Sequence, residues 1–197
     1  MVTVGEIEAE ALRSHDAGVQ AIVELAGSLS QRDWSRPSGC GAWTSLDLAG
    51  HVLTVINLWD HILDRALAGD ESTEFPWDQF DAWNAKALAD LPAATRPERI
   101  EEFAGRADHF YNRLAAAPDV GFGTPAKTLL QCDITTSVFT SYALLEWHLH
   151  AHDLAVAAGT AYHPEEMDPP VRAVRVMFPS LPNDRDVNWN VMIAGRP

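Results

Sequence analysis

Through most of this chain apolar residues recur at intervals of three and four, the period of an α-helix, while the alternation that marks a strand is scarce. That pattern predicts helices, each with one face to bury. The first helix is expected from about Val4 to Leu29. The next stretch, "SQRDWSRPSGCGAW", is dense in Ser, Gly and Pro and reads as a loop. Thr44 or Ser45 then caps a long helix ending near Gly69, with Asp47 in the first turn, where the helix dipole favours an anion. "DESTEFPWDQF" reads as a crossover loop in which Pro76 interrupts any continuous helix, leading to a shorter helix around Asp78 to Leu91. Thr95 followed by Arg96, Pro97 and Glu98 is a start signal for the amphipathic run "ERIEEFAGRADHFYNRLAAA". "PDVGFGTPAKT" is a loop by composition. The last long helix is expected from about Asp133 to Ala158, stopped by Gly159 in the position of a C-terminal cap. Four long helices with one central crossover connection predict an all-α four-helix bundle over residues 1–165. Residues 166–197 carry weak signals and are expected to be an irregular C-terminal extension, not a separate domain.

Composition narrows the function classes. A chain of 197 residues with 47% hydrophobic residues can fill one substantial core. With 28 acidic against 14 basic residues the net charge is -14, so the average surface repels a nucleic-acid backbone or an anionic membrane, and neither partner is expected. "MVTVGEIEAEALR" has neither the basic nor the apolar region of a signal peptide, and no apolar run approaches the roughly 20 residues that span a bilayer. A cytoplasmic location is the expectation. Cys40 and Cys132 are far apart and outside CxxC spacing, which fits a reducing compartment, and each reads as a quiet buried thiol.

The last long helix contains "LLEWHLHAHDL", with one glutamate and three histidines at alternate positions. At about 100° per residue, with Glu146 at zero, His150 lies near 40° and Asp153 near -20°, whereas His148 and His152 lie near 200° and 240°. Tyr142, Leu145, Leu149 and Val156 flank the Glu146 stripe on one side, and Ala143, Trp147 and Leu154 on the other. Glu146 and His150 should therefore point into the bundle, and His148 and His152 toward solvent or the margin.

Burying a glutamate and a histidine is costly unless they hydrogen-bond each other or share a cation. In "LDLAGHVLTVINLWDHIL", Leu48, Val55, Leu58 and Ile62 lie within about 60° of His51, so His51 also faces the core, whereas His61 falls on the polar side with Asn57 and Asp60. His51, Glu146 and His150 thus have the ligand count of a catalytic zinc site, three protein ligands and one open position. By geometry alone a metal site and a set of hydrogen-bonded core residues both remain open. HExxH is absent, as is the matched pair of Glu-x-x-His segments found in di-iron bundles.

"SGCGAWTSLDLAGHVL" resembles the C-x-x-W-T/S-x-x-D-L-x-x-H segment of the DinB-like superfamily, especially its mycothiol-dependent maleylpyruvate isomerase branch, through Cys40, Trp43, Thr44, Asp47, Leu48 and His51. "EWHLHAHDLAVAAG" resembles that branch's second signature through Glu146, His150, Asp153, Leu154 and Gly159. The resemblance covers roughly residues 5 to 165. It implies a DinB-like bundle holding one divalent metal, usually zinc, through His51, Glu146 and His150. It also implies that the metal activates the thiol of a small cofactor such as mycothiol or bacillithiol, because a thiol bound to zinc loses its proton at neutral pH. Asp153 could then accept a hydrogen bond from His150, or stand on the helix surface.

The isomerase branch carries a further C-terminal domain, and the tail "VRAVRVMFPSLPNDRDVNWNVMIAGRP" is too short to be it. The expectation is therefore a metal-dependent, thiol-using transferase acting on a small electrophile. The alternatives are a non-catalytic metal-binding or ligand-sequestering bundle and a maleylpyruvate-type cis-trans isomerase. Trp43, Trp59, Trp77, Trp83 and Trp147 could build an aromatic mouth, and Arg106 or Arg113 could pair with a carboxylate, although aromatic residues at helical spacing are usually core and lone arginines usually solvated. His109 is uncommitted, and His15 is placed on the surface or margin of the first helix. A homodimer is compatible with the bundle, but no exposed apolar stripe specifies one.

Overall fold

The computed structural model describes residue 3 and residues 9–70, 79–121 and 135–164. Val4 to Glu8, Pro76, Trp77, Cys132, the expected helix start at Asp133 and the 166–197 extension lie outside the described residues, as does the side chain of Tyr142. The described chain forms five α-helices, α1 (Ala9–Ser28), α2 (Ser45–Ala68), the short α3 (Phe80–Asp90), α4 (Arg96–Ala116) and α5 (Thr136–Ala158), with a single 3-10 turn at Asp33–Ser35. Backbone pairing between extended residues is confined, among the described residues, to three isolated bridges. No described helix is long and apolar enough to cross a membrane.

The helix ends follow local chemistry. Thr44 and Asp47 form a reciprocal capping box at the start of α2, and Thr95 and Glu98 do the same for α4, with Pro97 in the first turn. Gly69 and Gly159 close α2 and α5 in the left-handed conformation, at φ 69° and 71°, where a side chain would be strained. At the second of these the Gly159 and Thr160 N–H groups return to the carbonyls of Val156 and Ala155.

Packing contacts set the direction of each helix. Gly50, early in α2, lies against Leu88, Leu91 and Arg99, while Arg113, late in α4, pairs with Asp60 and Asp64, late in α2. Neighbours α2 and α4 therefore run parallel, and the chain between them must return along the bundle, with α3 resting on α2. This is the expected crossover. Phe139, near the start of α5, packs on Trp59 and Phe110 in the later turns of α2 and α4, so α5 runs the other way. The start of α1 likewise meets the end of α4, where the His15 and Tyr111 rings stack. One core results, centred on Trp147, Phe103, Phe110, Leu63 and Leu144.

Two histidines depart from expectation. His15 is 1% exposed, on the buried stripe Leu12, His15, Val19, Ile22 and Ala26 of α1, which Leu29 continues just beyond the helix end. The Trp147 Nε1–H donates to its Nδ1 at 3.0 Å. Burial lowers its pKa to about 4, against a small upward pull from the Ala107 backbone. His148 is also buried, with Nε2 2.9 Å from Ser14 Oγ and Nδ1 2.7 Å from Tyr162 Oη. Helical phase turns His148 away from Glu146, as read from the sequence, but that face of α5 is covered by α1. Gly18 permits the close approach: a Cβ there would lie 2.9 Å from Trp147 Cβ. His152 is half-buried, at the margin as expected.

Candidate metal centre

The site is assembled from α2, α5 and the loop that precedes α2. The Thr44–Asp47 capping box fixes where α2 begins, through Asp47 N–H to Thr44 Oγ1 at 3.2 Å and Thr44 N–H to Asp47 Oδ2 at 3.0 Å. His51 stands two turns further on, buried at 4% exposure. On α5, Glu146 and His150 are one turn apart, so their side chains share a face. The structure brings all three together: one donor atom from each of His51, Glu146 and His150 lies within 4.8 Å of the others.

The two imidazoles meet edge to face, with ring centroids 4.9 Å apart at 86°. His150 Nε2 is 3.2 Å from Glu146 Oε2, and His150 Nδ1 is 3.0 Å from Asp153 Oδ2. Asp153 is fully buried, which removes the helix-surface alternative and makes it the group that orients the His150 ring. Glu146 is the more open member, its side chain 22% exposed, so the solvent side of the triad lies there.

The donor set fits a divalent ion. Ligands held at about 2.0–2.2 Å from a common centre stand roughly 3–4 Å apart, so small side-chain rotations suffice from the present spacing. Two imidazoles and a carboxylate suit zinc and its first-row neighbours, and three protein ligands leave a position for an exchangeable fourth.

The loop from Arg36 to Thr44 closes over the site. Ser38 N–H and Oγ–H both donate to the Trp43 carbonyl, at 2.8 and 2.9 Å, and Ser38 Oγ accepts from Cys40 N–H at 3.1 Å. Gly39 N–H donates to the Asp153 carbonyl at 3.0 Å, pinning the loop to α5. Trp43 consequently lies against His51, with centroids 4.6 Å apart. Cys40 is not a quiet buried thiol. It is half-buried, and its sulfur lies within 4.8 Å of donor atoms of His150 and Asp153. The sequence clue was glycine on both sides of the cysteine, which permits a close approach, but it does not identify the surface approached.

The other residues considered for the pocket go elsewhere. Trp59 and Trp147 are core, and Trp83 is half-buried against it. Arg106 pairs with Glu102 on its own helix, and Arg113 with Asp60 and Asp64. His61 and His109 are exposed.

Among comparisons with known proteins, the family model described as "Mycothiol maleylpyruvate isomerase N-terminal domain" matches residues 15–155, a span that contains Cys40, His51, Glu146, His150 and Asp153. No curated protein and no solved structure matches the chain.

Proposed function

From the premise that this chain belongs to the mycothiol maleylpyruvate isomerase N-terminal domain family, we propose that it is a metal-dependent enzyme that presents a low-molecular-weight thiol of the mycothiol type to a small electrophilic substrate. The observation that carries this reading is the convergence of His51, Glu146 and His150 within 4.8 Å. In this reading those three side chains hold the ion, with zinc the first choice.

An ion held there supplies Lewis acidity, lowering the pKa of a thiol brought to its open position. The protein's own groups prepare the place. With His150 Nδ1–H donating to Asp153, the Nε2 lone pair is left free on the side of Glu146. Trp43, packed on the His51 ring, restricts its rotation and keeps water from that side. Glu146, at the half-exposed edge, borders the path by which thiol and electrophile arrive.

Metal analysis of purified protein tests the ligands. His51→Ala and His150→Ala should each lose zinc, and unchanged zinc in both overturns the assignment. Zinc-loaded protein incubated with mycothiol and a panel of electrophiles should then give conjugate above the uncatalysed rate. Zinc binding without conjugate formation across the panel would favour a sequestering role.

A further inference from the structure

His150 has two ring nitrogens, and each edge of the ring meets a different donor group. On the Nε2 edge is Glu146, at 3.2 Å, and one donor atom from each of His51, Glu146 and His150 lies within 4.8 Å of the others. On the Nδ1 edge is Asp153, at 3.0 Å, and one donor atom from each of Cys40, His150 and Asp153 lies within 4.8 Å of the others. We propose that Cys40, Asp153 and His150 Nδ1 form a second metal position that takes a thiophilic ion of the Cd(II) class and is used in alternation with the first.

The alternation follows from the imidazole. A neutral ring carries one proton and one lone pair, so only one edge can bind metal at a time. With the proton on Nδ1 and donated to Asp153, Nε2 completes the set with His51 and Glu146. With the proton on Nε2 and donated to Glu146, Nδ1 completes the set with Cys40 and Asp153. Each carboxylate is a ligand in one state and a hydrogen-bond acceptor in the other.

Chemistry and position separate the ions that the two edges prefer. A thiolate selects soft metals, whereas the His2Glu edge suits zinc and harder ions. Asp153 is fully buried, with the imidazoles of His150 and His152 at 3.0 and 3.8 Å from its carboxylate. A buried carboxylate beside a thiolate gains from a shared cation. The Gly39 N–H to Asp153 carbonyl bond holds Cys40 beside this edge. Loading releases the Cys40 thiol proton to solvent and moves the His150 proton from Nδ1 to Nε2, with no change in oxidation state. A soft ion bound here withdraws His150 from the first position, so it would switch that centre off.

The competition rests on the reading of the first position given above; the second position stands without it. The test is titration of metal-free Cys132→Ser protein with Cd(II), following the ultraviolet thiolate-to-cadmium absorption and the number of ions retained. The band should saturate at one ion per chain, vanish in Cys40→Ser/Cys132→Ser and persist in His51→Ala/Cys132→Ser, and each Cd(II) should displace one zinc ion from zinc-loaded protein. No band, or a band that survives Cys40→Ser, overturns the second position. Cd(II) and zinc bound together overturn the alternation. If Cys40→Ser does not fold, Asp153→Asn in the Cys132→Ser background must weaken Cd(II) binding at least tenfold. A Cys40-dependent band in protein that binds no zinc would refute the first position and leave the second intact.

Discussion

A single methyl group at Gly39 tests whether the loop before α2 is seated on α5. A Cβ built there lies 2.8 Å from Asp153 Oδ1, 2.9 Å from Asp153 Cα and 3.3 Å from Val156 Cγ2, whereas ordinary contact begins at 3.4 Å. The Asp153 side chain could turn aside, but its Cα belongs to a packed helix, so the loop must retreat by about 0.5 Å or α5 must shift. Either movement lengthens the 3.0 Å bond from Gly39 N–H to the Asp153 carbonyl and carries Cys40 and Trp43 off the site. Overpacking of this kind costs about 1–3 kcal/mol. Displacing the groups that orient metal ligands lowers metal affinity by roughly 10–100-fold. Gly39→Ala should therefore lower the urea midpoint of the metal-free protein and weaken zinc binding measured by competition with a chromophoric chelator. Gly27→Ala is the matched control, because a Cβ at that helical position meets nothing within 4 Å. It should stabilise the protein by about 0.4–1 kcal/mol. Wild-type values for Gly39→Ala in both assays would refute the docking of this loop.

Three further outcomes follow from named contacts. Asp153→Asn keeps the size of the side chain but removes the carboxylate that accepts from His150 Nδ1, so zinc affinity should fall by about 10–100-fold with helix content retained; unchanged affinity would assign Asp153 to packing alone. Burial holds the His15 pKa at about 4 in the folded protein, against the ordinary imidazole value of 6.5, so the unfolded chain binds more protons between those pH values. Its contribution, at most about 3 kcal/mol, is complete above pH 6.5 and is lost as pH falls toward 4. Burial lowers the His148 pKa to about 4 as well, so His15→Gln should reduce the slope of urea stability across that window without abolishing it, and an unchanged slope would show that His15 is not one of the groups responsible. Thr44→Ala removes the Asp47 N–H to Thr44 Oγ1 bond of the α2 capping box and should cost about 1 kcal/mol by urea unfolding; a loss below a few tenths would mean that this bond does not hold the start of α2.

Where local rules decide the outcome, sequence and structure agree closely. The capping residues Thr44 and Thr95, the terminating Gly69 and Gly159 and the parallel return after α2 each follow from chemistry within a few residues or from the order of apolar stripes. The triad was legible for the same reason: His51 lies on the apolar stripe of α2 and Glu146 and His150 on that of α5, so two helices packed face to face bring them together. What helical phase does not reveal is how many faces of a helix are covered. Apart from Glu146 and Asp153, α5 has no charged residue, and the face carrying His148 also carries Ala151 and Ala155, both buried. A face of alanines without charges is suited to close packing by another helix, and α1 supplies that helix, with Gly18 at the contact. The same consideration applies to His15, which continues a stripe of apolar residues at spacings of three and four and was therefore recognisable as buried. Cys40 is a different case. Its place beside His150 depends on a loop turning back onto a helix more than a hundred residues later, held by one backbone hydrogen bond and the absence of a side chain at Gly39. Helical phase carries no information about such a contact, so the nearness of the thiol to His150 and Asp153 follows from the fold and not from residue spacing.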